Sequence, residues 1–264
     1  MRQILKYPRT QHIEGSKEQW GDEDLNVVPG KELMGKYLVV EEKMDGANCA
    51  ISFYDEGHMV LQSRGHELTG GPREKHFNLF KTWANIHIGR LWELLGARYI
   101  MYGEWMYAKH TVYYDALPHY FLEFDIFDRQ NQVFLSTEKR KEMLEDFSFI
   151  HSVRIIHSGI VNDPATLPGF LGISYAITQQ NRENLIADVT GLGLNVERVI
   201  RETDLDQTME GLYIKEENSD IVLNRYKYVR GSFLSAVMNA EGHWLNRPIV
   251  PNRLINKQIM YEME

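Results

Sequence analysis

The octapeptide Glu41-Glu42-Lys43-Met44-Asp45-Gly46-Ala47-Asn48 follows a hydrophobic run, Tyr37-Leu38-Val39-Val40. The run predicts a buried strand that delivers Lys43 to a turn. Asp45-Gly46 is a turn-forming pair, and glycine also lets the backbone approach a ligand closely. Lys-x-Asp-Gly alone is a weak signal, for which a surface lysine beside a solvated acidic pair is the ordinary interpretation. The rest of the chain must therefore decide whether Lys43 is functional.

Lys43 would act as a nucleophile only if its amine lost a proton. The unperturbed pKa of lysine is ~10.4, so nearby cations, a metal ion or burial would have to favour the neutral amine. Glu41 and Glu42 act in the opposite direction unless they face elsewhere or contact a ligand. Alternation along the strand places Glu41 on the face of Lys43 and Glu42 on the other face.

The composition favours one large domain or a domain with a small appendage, because 43% of the 264 residues are hydrophobic. The single cysteine, Cys49, excludes a disulfide framework and a cysteine-based zinc site, and it indicates a reducing compartment. No stretch has the length and apolarity of a membrane span or a leader. We therefore expect a cytoplasmic protein without membrane contact.

The net charge of −8 argues against indiscriminate binding to a phosphate backbone. Any contact with nucleic acid would need a local basic surface or bridging metal ions. Near the N-terminus, Arg2, Lys6 and Arg9 would face either an anionic substrate or, more simply, solvent.

Hydrophobic periodicity predicts the remaining elements. The expected strands are 37–40, 50–53, 59–62, 98–102, 119–128, 210–215 and 221–230. The expected helices are 73–95, 137–147 with Ser136 or Thr137 as N-cap, 179–189 and a short one near 232–238. Residues 106–115 are expected to form a loop at the mouth of a site, and residues 148–177 give no clear order.

A specific pattern emerges from the order of several short motifs. They are Lys43-x-Asp45-Gly46, Ser63-Arg64-Gly65, Gly103-Glu104, Phe124-Asp125, Glu210-Gly211 with Lys215, and Arg225-x-Lys227. The set, which spans residues 37–230, resembles the covalent nucleotidyltransferase superfamily of RNA ligases, DNA ligases and capping enzymes. Asn48 after the lysine motif, and Ile126 after Phe124-Asp125, make the chain most similar to RNA ligases of the kind represented by the second RNA ligase of phage T4.

The resemblance implies an ATP-dependent reaction centred on Lys43. Lys43 would attack the α-phosphate of ATP to form lysyl-AMP, and Lys215 and Lys227 would neutralise the developing charge and help to lower the pKa of Lys43. Glu210 would hold Mg²⁺ or Mn²⁺, in the magnesium case through water because that ion keeps much of its hydration shell. Asn48 would act later, in positioning RNA ends.

Further residues would bind the nucleotide if the resemblance holds. Arg64 and Glu104 would hold the ribose, and Phe124 would stack on adenine. Glu41 or the Glu42 backbone would contact the adenine edge. Transfer of AMP to an RNA 5′-phosphate, followed by attack of a 3′-hydroxyl, would then seal the two RNA ends. An end-healing kinase or phosphatase is an expected partner.

The expected fold is α+β: a single adenylyltransferase (ATP-grasp-like) domain over residues 1–230, in which two antiparallel sheets enclose a nucleotide cleft flanked by helices. Residues 1–36 would form an N-terminal cap, and residues 231–264 a short extension without an oligonucleotide-binding (OB-fold) barrel. One departure concerns the last motif, where Arg225 replaces the usual lysine at the nucleotide site; arginine keeps the charge but not the shape of an ammonium.

Three alternatives remain. The chain could be a compact DNA nick ligase or an enzyme that adenylylates ends without sealing them, which a comparison of RNA and DNA substrates would distinguish. A non-catalytic nucleotide- or RNA-binding protein is disfavoured because the lysines and carboxylates of the motifs are present. A metal hydrolase is disfavoured because the histidines show no recognisable ligand motif.

Overall fold

Two β-sheets and peripheral helices form the protein in the computed structural model, which describes residues 4–17, 26–54, 57–234 and 248–262. The predicted α+β class is confirmed. The described strands are β1 Gln11–Ile13, β2 Val27–Val28, β3 Lys36–Lys43, β4 Ala47–Phe53, β5 Met59–Ser63, β6 His66–Glu67, β7 Tyr99–Trp105, β8 Phe121–Asp128, β9 Val133–Phe134, β10 His151–Ser152, β11 Ile155–Val161, β12 Gly211–Glu217 and β13 Val222–Val229.

The two sheets meet at the turn between β3 and β4. The first sheet has the order β11-β3-β12-β13-β1-β2, and the second has the order β10-β8-β7-β4-β5-β6 with β9 beside β8. Most neighbours are antiparallel, as predicted, but β1 runs parallel to β2 and β13, and β10 runs parallel to β8. The Lys-x-Asp-Gly turn thus connects a central strand of one sheet to a central strand of the other.

The helices cover the outside of the sheets. They are α1 Asn78–Ile86, α2 Ile88–Leu95, α3 Thr137–Leu144, α4 Asn181–Gly191 and α5 Val196–Arg201, with short 3₁₀ helices at Gly30–Leu33, Pro72–Phe77, Pro164–Phe170 and Lys257–Met260. The single helix predicted over 73–95 is instead a 3₁₀ turn followed by two helices that join at His87. The bend lets Trp83 on α1 and Leu91 on α2 both enter the core of the second sheet.

The N-terminal residues differ from the expected cap. Residues 11–13 and 27–28 are strands of the first sheet, while the preceding segment contacts the second. The Leu5 carbonyl accepts hydrogen bonds from Gln62 Nε2 at 3.0 Å and from the Tyr102 hydroxyl at 2.8 Å. Residues 5–10, which we call the strap, therefore connect the two sheets.

The segment 106–115 is a loop, but it does not form the mouth of the cleft. Tyr113 and Tyr114 are fully buried. Asn252, from the C-terminal segment, accepts from the Tyr114 backbone at 2.9 Å and donates to the Met106 carbonyl at 2.6 Å. Because these polar groups find partners inside the protein, the loop packs as part of the core. The helix predicted near 232–238 lies mostly outside the described residues.

None of the described helices combines the length and apolar composition that a bilayer crossing requires.

Candidate active site

A cleft of about 600 Å³ lies between the two sheets, a volume typical of small-molecule sites. All but two of the candidate residues from the sequence line it: Glu41, Glu42, Lys43, Asn48, Arg64, Glu104, Phe124, Glu210 and Lys227. The two exceptions, Lys215 and Arg225, lie behind its wall. These nine residues come from five strands, from the β5–β6 turn (Arg64) and from the position before β12 (Glu210), and the fold brings them together around one space.

Lys43 forms an ion pair with Glu210 at the centre of the cleft. The register of β3 and β12 pairs Lys43 with Gly211, which places the preceding residue, Glu210, beside the end of β3. Lys43 Nζ donates to Glu210 Oε1 at 2.5 Å. The Lys43 side chain is 25% exposed and the Glu210 side chain 2% exposed, so the amine is reachable while its partner is buried.

The charges around Lys43 favour its protonated form, contrary to the predicted lowering of its pKa. Burial acts to lower the pKa of Lys43, but Glu210, Glu104 and Asp45 outweigh it, and the pKa lies above the ordinary value. Burial also raises the pKa of Glu104 to about 8 and that of Glu210 to about 7, against the effect of Lys43. The charged residues at the centre of the cleft, which we call the cleft group, comprise more carboxylates than cations. They are Lys43, Asp45, Glu104, Glu210 and Lys227.

Asp45 fixes the turn that follows Lys43. Its Oδ2 accepts from the backbone N–H groups of Thr111 and Val112, each at 2.7 Å, and its own N–H donates to the Tyr114 hydroxyl at 2.9 Å. A carboxylate that accepts two backbone N–H groups is a strong anchor. The buried loop 106–115 therefore holds the lysine turn in place.

Packing requires a glycine at position 46, where the turn lines the cleft. A Cβ at Gly46 would lie 2.6 Å from Met106 Sδ and 2.9 Å from Glu104 Cγ. At Gly211 a Cβ would lie 2.0 Å from the Tyr228 carbonyl oxygen. At both positions a side chain would collide with neighbouring protein atoms, which is why a glycine stands beside each acidic residue. The sequence motif does not show this reason.

Asn48, Glu104 and Arg64 meet on the second sheet. Asn48 pairs directly with Glu104 across β4 and β7, and the Asn48 carbonyl accepts from the Arg64 N–H at 3.0 Å. Arg64 has a φ of +50°, which is uncommon for a residue other than glycine. This conformation holds Arg64 at the tip of the β5–β6 turn on the rim of the cleft.

Phe124 contributes an aromatic wall that includes Tyr7 of the strap. The Tyr7 and Phe124 rings meet edge to face, with centroids 5.2 Å apart, and the Tyr7 hydroxyl bonds to Asp125 and Tyr213. Phe124 is half-buried, so part of its ring faces the cleft. The place of Tyr7 in the cleft could not be predicted from the sequence, because a single aromatic residue in a polar N-terminal stretch has no hydrophobic period.

Lys215 is not in the cleft, which corrects the prediction that it faces the α-phosphate. Its side chain is 0% exposed, and Nζ contacts Glu41 at 3.0 Å, Asp125 at 3.1 Å and the Phe124 carbonyl. Arg140 on α3 bridges Glu41 and Glu123 through two 2.7 Å contacts. The reason is charge balance: the acidic residues beneath the cleft need buried cations as partners.

Arg225 belongs to the same set of charges. Its Nε lies 3.3 Å from Asp125 Oδ2, and its guanidinium lies 3.6 Å from the centroid of the Phe134 ring, a cation–π contact. We call this set the buried network; its members are Glu41, Glu123, Asp125, Arg140, Lys215 and Arg225. Glu41 lies on β3, which lines the cleft, but its carboxylate belongs to the buried network.

The two acidic residues before Lys43 face opposite sides, as alternation predicts. The Glu42 carboxylate is 1% exposed, burial raises its pKa, and its backbone N–H donates to the Arg154 carbonyl at 2.9 Å. Burial likewise raises the pKa of Glu41, although Lys215 and Arg140 counteract it. The Glu41 carboxylate is thus paired with Arg140 and Lys215, and the Glu42 carboxylate is buried.

The carboxylate oxygens of the cleft could bind a divalent metal ion only if a bound nucleotide supplied further oxygen ligands. Glu210 Oε2 is buried and has no hydrogen-bond partner within the described part of the chain. No group of three or more histidine, cysteine or acidic side chains among the described residues could hold a metal ion alone. Magnesium is commonly held by one or two carboxylates together with substrate phosphates, and Glu210 fits that pattern.

A lysine among carboxylates, in a cleft between two sheets and beside a half-buried aromatic ring, is the arrangement expected of a covalent nucleotidyltransferase. Residues 36–229 match the RNA ligase family, and the chain belongs to that family. A search of curated proteins gave no match.

Solved structures of an RNA ligase from Naegleria gruberi share the fold. A mutant of that ligase with AMP and Mn superposes with a TM-score of 0.56 and 14% identity, over 89% of this chain and 59% of that one. Another mutant, with ATP and Mn, gives a TM-score of 0.52 and 15% identity, over 80% and 54%. A mutant without ligand gives the same values. This chain therefore spans little more than half of the length of these relatives.

Proposed function

We propose that this protein is an ATP-dependent RNA ligase that joins RNA 5′-phosphate and 3′-hydroxyl ends through lysyl-AMP at Lys43. The observation that carries the proposal is the reachable Lys43 amine, paired with Glu210 in the cleft of a chain from the RNA ligase family. The ATP, AMP and Mn in the structures of the Naegleria relative support ATP and a divalent metal ion, magnesium or manganese, as its cofactors.

The first step would form a bond between Lys43 Nζ and the α-phosphorus of ATP while the bond to pyrophosphate breaks. The amine must first lose a proton, and Glu210 Oε1, 2.5 Å away, is the nearest acceptor. A divalent ion at Glu210 would supply positive charge that lowers the pKa of the lysine and stabilises the phosphate oxygens. Lys227 would neutralise charge that develops on the α-phosphate.

The nucleotide would lie across the second sheet. Phe124 would stack on the adenine, and Arg64 and Glu104 would contact the ribose, because all three line the cleft from the second sheet, whereas Glu210 precedes a strand of the first. Asn48 would act when the ends are joined. The AMP would next move to an RNA 5′-phosphate, and a 3′-hydroxyl would displace it. A cytoplasmic location and an end-healing partner remain predictions.

The test is incubation with α-labelled ATP and Mg²⁺ or Mn²⁺, followed by denaturing electrophoresis. Wild-type protein should acquire an acid-labile label that Lys43→Ala and Lys43→Arg both lack; the arginine variant keeps the cation beside Glu210 and so controls for the loss of charge. Preparations must be shown to be free of bound AMP, and GTP and NAD serve as alternative donors. An unlabelled wild type under all these conditions would contradict the proposal.

Sealing is measured separately on matched RNA and DNA strands, nicked and single-stranded. Joined RNA supports the proposed ligase. Labelled protein that joins DNA in preference, or that only adenylylates ends, would point to the two related enzymes considered above.

A further inference from the structure

A basic rim borders the cleft where the strap passes the β5–β6 turn. Arg9, Arg64 and His66 line the cleft and are exposed, and the exposed Lys6 lies against the turn, with its Cδ 3.4 Å from the position of a Cβ on Gly65. These four residues, which we call the basic rim, stand out in a chain of net charge −8.

The strap that carries Lys6 and Arg9 is held at both ends. Hydrogen bonds from Gln62 and Tyr102 to the Leu5 carbonyl attach it to the second sheet. The Tyr7 hydroxyl bonds to Asp125 and Tyr213, and Thr10 leads directly into β1 of the first sheet. Arg9 is therefore presented from a fixed backbone, which reduces the conformational entropy lost on binding.

The rim and the floor of the cleft carry opposite charge. The floor contains Asp45, Glu104 and Glu210, whereas Lys6, Arg9 and Arg64 on the rim carry positive charge. An exposed cation contributes little to binding one phosphate, so a row of such cations is suited to a polyanion that contacts several of them together. A strand of nucleic acid meets that requirement better than the short polyphosphate of a nucleotide.

We infer that the strap residues of the basic rim, Lys6 and Arg9, bind backbone phosphates of the RNA strand whose end enters the cleft, while Arg64 of the rim contacts the ribose as proposed above. The inference rests on the proposed function, because it identifies how the same site holds its RNA. It also accounts for RNA binding by an acidic protein, since the phosphate contacts are confined to one border of the cleft and are placed there partly by the strap.

The experiment compares wild type, Arg9→Ala, Arg9→Lys and Arg182→Ala. Arg182 is an exposed residue of α4 that does not line the cleft, so its variant removes the same charge elsewhere. Binding of a fluorescent nicked RNA duplex is followed by anisotropy over a range of salt concentrations, which requires no ligase activity. The ATP-dependent labelling of Lys43 is measured on the same preparations.

Arg9→Ala should weaken RNA binding about five-fold and reduce the slope of log affinity against log salt by about one. Arg9→Lys should keep most of the slope, and Arg182→Ala should behave as wild type. An unchanged salt slope in Arg9→Ala would overturn the inference. A loss of Lys43 labelling as large as the loss of RNA affinity would also overturn it, by assigning the rim to the ATP phosphates. If wild type is not labelled, the proposed function is contradicted, whereas the salt dependence of RNA binding still tests the basic rim.

Discussion

The cleft group and the buried network are two neighbouring sets of charged side chains that share strands β3 and β13, and they differ in charge balance. The cleft group has three carboxylates and two lysines, and the pKa values of Glu104 and Glu210 rise to about 8 and 7. In the buried network, three carboxylates face three cations. Burial acts to raise the pKa of Asp125 there, but Lys215, Arg225 and Arg140 hold it below its ordinary value. In the balanced network every buried charge has a partner whose loss would be costly, whereas the excess carboxylates of the cleft group would be neutralised by a bound cation.

The largest expected effect comes from removing a cation of the buried network. Arg140→Met would leave Glu41 and Glu123 buried without their shared partner, and breaking such a pair costs roughly 3–5 kcal/mol of the free energy of unfolding. Urea denaturation measures the loss. The double variant with Glu123→Gln should recover part of it, and a single variant as stable as wild type would show that the network is not structural.

A cation of the cleft group should affect chemistry more than stability. Lys227→Met is expected to slow the adenylylation of Lys43 by about 100-fold, the usual order for removing one group that stabilises transition-state charge. The thermal midpoint should change little, because Lys227 is only partly buried. Single-turnover labelling and a melting curve give the two values. If Lys227→Met lowered stability as much as Arg140→Met, the contrast between the two sets would be lost.

The raised carboxylate pKa values of the cleft group predict stability that declines as pH rises. Between pH 5 and 8 the folded protein retains protons at Glu104 and Glu210 that the unfolded chain has released, so the free energy of unfolding falls with pH across that window. Glu104→Gln should remove the part of this decline that comes from Glu104, so that the profile of the variant is flatter than that of wild type. Denaturation at several pH values tests it, with the exposed Glu138→Gln as control. Parallel profiles for wild type and Glu104→Gln would refute the assignment.

The smallest effect concerns the shape of a cation. Arg225→Lys keeps the charge beside Asp125 but loses the stacking of a planar guanidinium on Phe134, which should cost about 1 kcal/mol. Thermal denaturation is sensitive enough to detect it. Arg225→Met, which also removes the charge, should be clearly less stable than Arg225→Lys; equal values would mean that only the ring contact matters.

The sequence predicted those parts of the fold that local patterns encode. Alternating and continuous hydrophobic runs located the long strands. Of the two helix caps that the sequence left open, Ser136 and Thr137, the structure has Ser136, whose hydroxyl accepts from the Lys139 N–H. The bend at His87 could not be predicted, because both helices carry the same apolar period and only their common sheet requires the change of direction. The role of residues 11–13 as a strand was missed because three residues have no detectable period.

The site was predictable to the extent that motif order reflects strand order. The positions of Lys43, Glu104, Glu210 and Lys227 around one cleft follow from the motifs. The motifs do not show how deeply a lysine is buried. Lys215 was therefore expected beside the phosphates, whereas its side chain is buried. Arg140 carried no motif at all, since its role depends on the distance between α3 and two strands of different sheets.

The pairing of β3 with β12 has a consequence for protein synthesis. Lys43 and Glu210 are separated by 167 positions in the sequence, so a ribosome that adds about 5–20 residues per second produces the lysine on the order of ten seconds before its acidic partner. Strand β13, which carries Lys227 and receives the N-terminal β1, appears later still. The nascent chain therefore cannot complete the cleft, and an unfinished copy cannot engage a nucleotide through it, until nearly the whole domain has emerged.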